Sequence, residues 1–73
     1  MKLNEVVRDR MNKEGVRFWA GDNVAKAIGP DEMDTLIDEA TEAFEGVLDA
    51  LLIDRINDPN SHGTARRLAK MYF

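Results

Sequence analysis

The sequence predicts an all-α fold, a small helical domain with one long amphipathic helix packed by shorter helices, and three observations carry that expectation. Met33, Leu36, Ile37, Ala40, Phe44, Val47, Leu48, Leu51 and Leu52 follow the i, i+3, i+4, i+7 rule, which lays them along one face of a helix of about five turns. Gly15, Gly29-Pro30 and the cluster from Asn57 to Ser61 cut the chain into helix-sized pieces. The one β-like run, Val16-Arg17-Phe18-Trp19-Ala20-Gly21, has no second strand to pair with, and a lone strand makes no sheet.

Each element has its own warrant. Leu3, Val6, Val7, Arg10 and Met11 fit a short helix over about residues 3–14, which Gly15 ends in the left-handed conformation that costs glycine little. A connector follows over 15–30, in which Asp22 is placed to cap a brief turn from Val24 to Ile28 before Gly29-Pro30 closes it. The long helix is expected over about 31–53. Asp31, Glu32 and Asp34 crowd its first turn, where the positive end of the helix dipole favours acids. Gly46 costs up to about 1 kcal/mol inside it relative to alanine, and marks a place where another helix is expected to come close. Residues 54–63 form a turn whose Asx and Ser side chains bond the local backbone. A terminal helix over 64–73 then starts with Thr64 as N-cap and places Leu68, Met71 and Tyr72 on one face. Neither a glycine or asparagine C-cap nor a proline follows, as expected of a cut through a longer polypeptide. The whole reads as one domain, without internal repeats or low-complexity tracts.

Composition narrows the function classes. In 73 residues there is no cysteine, so no disulfide, thiolate nucleophile or cysteine-ligated metal is available, and a reducing, cytoplasmic setting is the default. A core of this size contributes roughly 3–5 kcal/mol net without a staple. With 44% hydrophobic residues to hide, association with another chain is the expected remedy. Fourteen acidic residues against ten basic ones give a net charge of −4, which works against binding a phosphate backbone. No run approaches the ~20 apolar residues of a membrane span, and Met1-Lys2-Leu3-Asn4-Glu5 lacks a signal peptide's apolar core.

The last residues carry a family resemblance. Thr64-Ala65-Arg66-Arg67-Leu68-Ala69-Lys70-Met71-Tyr72 resembles the segment Thr-Pro-x-Arg-x-Ala-Lys-Met-Tyr that precedes the catalytic domain of GTP cyclohydrolase I. The matching positions are Thr64, Arg67, Ala69, Lys70, Met71 and Tyr72. Ala65 stands where the family has proline, a residue that suits the first helical position and that alanine replaces without conflict. Upstream, Asp31-Glu32-Met33 through Leu51-Leu52-Ile53-Asp54 is similar to the long helix before that segment. Ala20-Gly21-Asp22-Asn23 is similar to shorter, phage-type members, so the likeness covers roughly residues 20–73. It implies a protein family that uses zinc and water to convert GTP to dihydroneopterin triphosphate for folate or deazaguanine synthesis. It also implies a ring-shaped oligomer in which N-terminal helices contribute to subunit packing. The family's zinc-binding Cys and His residues, its guanine-recognising glutamate and most of its phosphate contacts lie further along, at positions this chain does not contain.

Candidate chemistry is sparse. His62 is the only histidine, and one imidazole with Asp58 nearby falls short of the three or four converging ligands of a zinc site, so we read it as a loop residue. Glu39, Glu42, Glu45 and Asp49 share spacings of three and four that would suit Mg²⁺ in an all-α nucleotide hydrolase. The same spacing describes any solvated helix face, which is the preferred reading in the absence of a second acidic helix. Arg66, Arg67 and Lys70 suit an anion, yet a structural pairing of Arg67 with Asp54 or Asp58 is the simpler expectation. Phe18 and Trp19 are expected to cover one end of the long helix's apolar stripe or to anchor an interface. With Phe44, Leu48, Leu51, Met71 and Tyr72 they make up the interface candidates. No residue is assigned a catalytic, cofactor-binding or metal role. Two functions follow: the N-terminal scaffold of a cyclohydrolase-like protein, self-associating or packed on the rest of that enzyme, or a stand-alone small acidic, phage-type protein that binds or inhibits another protein. An open frame continuing into Cys- and His-containing sequence supports the first, and a stop codon after Phe73 the second.

Overall fold

Three α-helices and one 3-10 turn make up the computed structural model, which describes residues Met1 to Phe73, and no strand forms. Helix α1 spans Leu3–Glu14 and stops at Gly15, whose φ of 71° is the left-handed conformation that favours glycine. Residues Ala25–Ala27 form the 3-10 turn. Its local support comes from Asn23, whose Oδ1 accepts from the Ala25 N–H at 3.0 Å, and not from Asp22, whose carboxylate is engaged with Arg17.

Helix α2 spans Pro30–Ala50. Proline opens it, and the Glu32 carboxylate reaches back to accept from the Gly29 N–H at 2.9 Å. It ends three residues before the expected boundary at 53. The Ile53 N–H bonds the Leu48 carbonyl and the Leu52 N–H bonds the Asp49 carbonyl, both at 3.0 Å, with Leu52 at φ 61°. That is a Schellman stop, with leucine in the place that glycine ordinarily takes.

Helix α3 spans Thr64–Met71 and is thus shorter than the expected 64–73. Its N-cap is Gly63 at φ 80°, so Thr64 is the first helical residue and does not cap. The Thr64 hydroxyl instead donates to the Asn60 carbonyl at 3.3 Å. In the preceding turn, the Asp54 carboxylate accepts from the backbone N–H groups of Ile56 and Asn57 and from the Asn57 side chain.

The core is small, with seven of 73 residues buried. Val7 and Met11 of α1 meet Leu36 of α2, with Leu3, Val16, Val24, Ala27 and Ile28 packed around them. Ala65 and Ala69 are buried where α3 lies on α2, their short side chains letting the two backbones approach. Leu48, expected as an interface residue, is buried within the chain. The molecule is elongated, 43 × 23 × 20 Å. At about 1.5 Å per residue, α1 is about 18 Å long against about 31 Å for α2, so α1 leaves the C-terminal end of α2 bare. Val47, Leu51 and Leu52, assigned to the apolar stripe, are exposed there.

Candidate functional site

The residues that pattern and resemblance single out gather into two surface features, an aromatic groove and an apolar tip. The groove lies between α1, the loop 17–22 and the chain's last two residues. It encloses about 270 Å³, with Val7, Met11 and Leu36 forming its floor and Phe18, Trp19, Tyr72 and Phe73 its walls.

A rigid loop presents the tryptophan. The Arg17 guanidinium donates twice to the Asp22 carboxylate, at 2.9 and 2.7 Å, and the same carboxylate accepts from the Trp19 N–H at 2.8 Å. The Asp22 N–H returns a bond to the Trp19 carbonyl at 2.8 Å, and the Arg17 guanidinium lies 4.3 Å over the indole. The Arg17 bonds, then the Trp19 N–H, hold the Asp22 carboxyl below its ordinary value. Trp19 is 70% exposed, so it forms a wall of the groove rather than a cover on the α2 stripe. Phe44 is half-buried and stacks on Tyr72, ring centroids 6.3 Å apart at 23°. Arg8 lies on the groove's rim, and none of the chain's salt bridges includes it.

The tip is built at the end of α2. Leu51, Leu52 and Ile56 are 64%, 93% and 74% exposed, with Val47 one turn below. An L-residue in the left-handed region costs roughly 1–2 kcal/mol, and here the residue that bears it projects its side chain into solvent.

Within the acidic set on α2, Glu39 departs from the solvated-face reading by doing structural work, while Glu42 and Asp49 are exposed as that reading expects. The Glu39 carboxylate accepts from the backbone N–H groups of Leu3 and Asn4 at 2.7 and 2.8 Å, and from the Asn4 amide at 2.8 Å, so it caps α1 from another helix. Desolvation is the largest single influence on this carboxyl and opposes its charge. The Asn4 and Leu3 donors with Lys2 outweigh it and leave the carboxyl below its usual value. Glu45 and Asp49 both hold Arg55, while Glu42 has no ionic partner. These spacings bring no three carboxylates together around a cation, and the chain contains no group of His, Asp and Glu residues arranged as metal ligands. The zinc chemistry of the resembled family finds no donor set among these residues.

The cations of α3 are also placed differently from expectation. Arg66 pairs with Asp38 at 2.7 Å, while Arg67 meets only the Thr64 hydroxyl at 3.2 Å and neither Asp54 nor Asp58. Lys70 has no carboxylate partner, and Met71 and Tyr72 are 76% and 73% exposed. His62 is exposed at the edge of a polar hollow of about 310 Å³ that also includes Arg55 and Arg66, both already held by carboxylates. No helix is long and apolar enough to cross a membrane.

Comparison of the chain with protein-family models, with curated proteins and with solved structures found no significant match. Fold and surface therefore define a small all-α protein whose distinctive chemistry is apolar and lies outside its core.

Proposed function

We propose that the chain is the N-terminal helical scaffold of a GTP cyclohydrolase I-like protein, an oligomerisation segment without catalysis of its own. One observation carries the reading: the residues of the family-like segment divide into a seated face and an outward one. Ala69 is buried against α2, as is Ala65 at the position where the family has proline, whereas Arg67, Lys70 and Met71 face outward with no carboxylate partner, and Tyr72 is 73% exposed with its ring stacked on Phe44. A surface so divided suits a helix that packs on its own domain with one face and receives further protein with the other. Zinc, in the family resembled, would be held by residues outside this chain.

The test is sedimentation of the chain alone and mixed with an intact GTP cyclohydrolase I, alongside an assay for formate release from GTP. Self-association or co-sedimentation without turnover supports the scaffold. A chain that sediments as a monomer in both samples, or that releases formate alone, refutes it.

The exposed, locked Trp19 favours a second reading, a small phage-type protein that binds or inhibits another protein. Loss of the intact enzyme's GTP turnover on adding the chain, reversed by Trp19→Ser, identifies that function instead.

A further inference from the structure

The two apolar features of the surface are a projection and a recess that carry opposite charge. One is a knob, Leu51, Leu52 and Ile56 at the end of α2, and the other is the groove walled by Trp19, Phe18 and Phe73. Knob and groove cannot meet within one molecule. Leu36 in the groove floor and Leu51 in the knob are separated along a straight helix by fifteen residues, about 22 Å. The electrostatics match as well. The groove carries on its rim the cation Arg8, which belongs to no salt bridge, while at the knob Glu45 and Asp49 share the single cation Arg55 and Asp54 bonds only its own turn, which leaves the knob net negative.

Leu52 supplies an independent reason to regard the knob as built for contact. A Schellman stop needs a left-handed residue, and glycine meets that need at little cost. Leucine meets it at φ 61° while burying nothing, so the side chain brings strain and no packing to the monomer.

We propose that the knob of one copy docks in the groove of a second copy, with Leu51 and Leu52 against Trp19 and Phe18 and Arg8 facing the knob's acids. The proposal rests on the self-association part of the scaffold reading and names the contact that produces it. Because two different patches meet, a pair joined by one such contact still offers one free knob and one free groove, which are either filled reciprocally within the pair or left open to further copies. Reciprocal docking closes a two-fold dimer held by two such contacts, and one-way docking runs past it.

Complementation of two disabled copies tests this. Leu52→Glu removes the knob, and Trp19→Ser opens the groove while keeping the Trp19 backbone bond to Asp22. By sedimentation velocity the unaltered chain is expected to associate with concentration, into a two-contact dimer or larger species, and each variant alone is expected to be a monomer. An equimolar mixture is expected to stop at a dimer, joined by the one surviving knob and the one surviving groove. Leu52→Gly gives a readout that a purely structural role would not move: it relieves the φ strain, so the melting temperature of the monomer rises while association is lost. Arg8→Glu is expected to weaken association at least tenfold. A mixture that remains monomeric, or variants that associate as the unaltered chain does, overturn the knob-and-groove contact. In that case the unaltered chain's own association still decides the scaffold reading. An unaltered chain that stays monomeric overturns this inference, and co-sedimentation with the intact enzyme then decides the scaffold reading separately.

Discussion

Helices α1 and α3 both pack on α2, and they are held there by opposite means. Between α1 and α2 the polar attachments sit at the two ends of the contact. Glu39 caps the first turn of α1, and near its other end Arg10 donates to Glu32 at 2.9 and 2.8 Å and to the Ala27 carbonyl at 2.9 Å. Only Val7, Met11 and Leu36 form the buried cluster between these clamps. Helix α3 is attached through its small residues instead. Ala69 is fully buried and Ala65 nearly so, and the one ion pair from α3 to α2, Arg66 to Asp38, lies in solvent and contributes little. The attachment of α1 therefore responds to charge and pH as well as to volume, and that of α3 to volume alone.

The largest effect is expected where the apolar part of the α1 contact is removed. Met11→Ala should cost about 2–5 kcal/mol, comparable to the whole stability of a domain this size. Hydrogen exchange should show the amides of α1 opening first while those of α2 and α3 keep most of their protection. Equal loss across all three helices would mean that the two attachments are one cooperative unit. Ala69→Leu should come next, at about 1–3 kcal/mol, because a residue with no exposed surface leaves no room for three added carbons. A urea titration followed by circular dichroism measures both.

Acid should act on α1 and spare α3. Hydrogen bonds from Arg10 chiefly, and then from the Gly29 N–H, lower the Glu32 carboxyl from 4.5 to about 2. A carboxyl lowered on folding contributes stability that is complete above its unfolded value and is lost as pH falls toward its folded one. For Glu32 that loss runs from about 4.5 down to about 2. Glu39 is shifted in the same direction and adds to it. Melting temperatures of the unaltered chain should fall across this range, and Glu32→Gln should start lower and flatten the curve. A variant whose acid curve parallels the original would show that the clamp is not what titrates.

The sequence made some of this architecture visible and concealed the rest for identifiable reasons. The end of α1 is legible because Gly15 is the residue type the left-handed turn asks for, and the start of α2 because acids crowd its first turn, although Pro30, read as closing the preceding turn, is in fact the first helical residue. Its end is not, because Leu52 occupies a glycine-like conformation that its side chain does not advertise, and its position completes the apolar repeat. Glu39 reads as one more solvated acid because its partners are 35 and 36 residues away, brought close only by tertiary packing. At the groove, Phe18, Trp19 and Tyr72 are recognisable by type. The Arg17 and Asp22 clamp that holds Trp19 outward is a product of loop geometry, and aromatic residue types alone fit cover and display equally well.

Gly46 gives the smallest predicted effect and separates the bare end of α2 from the packed one. A glycine inside a helix implies either a neighbour too close for a side chain or a face with nothing to pack against, and pattern alone favoured the neighbour. A Cβ built at Gly46 meets no atom within 4 Å, so within one chain the glycine serves no close approach. Alanine there should stabilise the monomer by about 0.5–1 kcal/mol, through helix propensity and the reduced freedom of the unfolded chain. The gain should appear in thermal melts of dilute samples, where copies are apart. If Gly46→Ala stabilises the monomer and leaves the sedimentation of concentrated samples unchanged, contact between copies is confined to the knob at Leu51 and Leu52. Association that weakens in the same variant would extend the contact one turn down α2, onto the bare surface around Val47 that α1 is too short to cover.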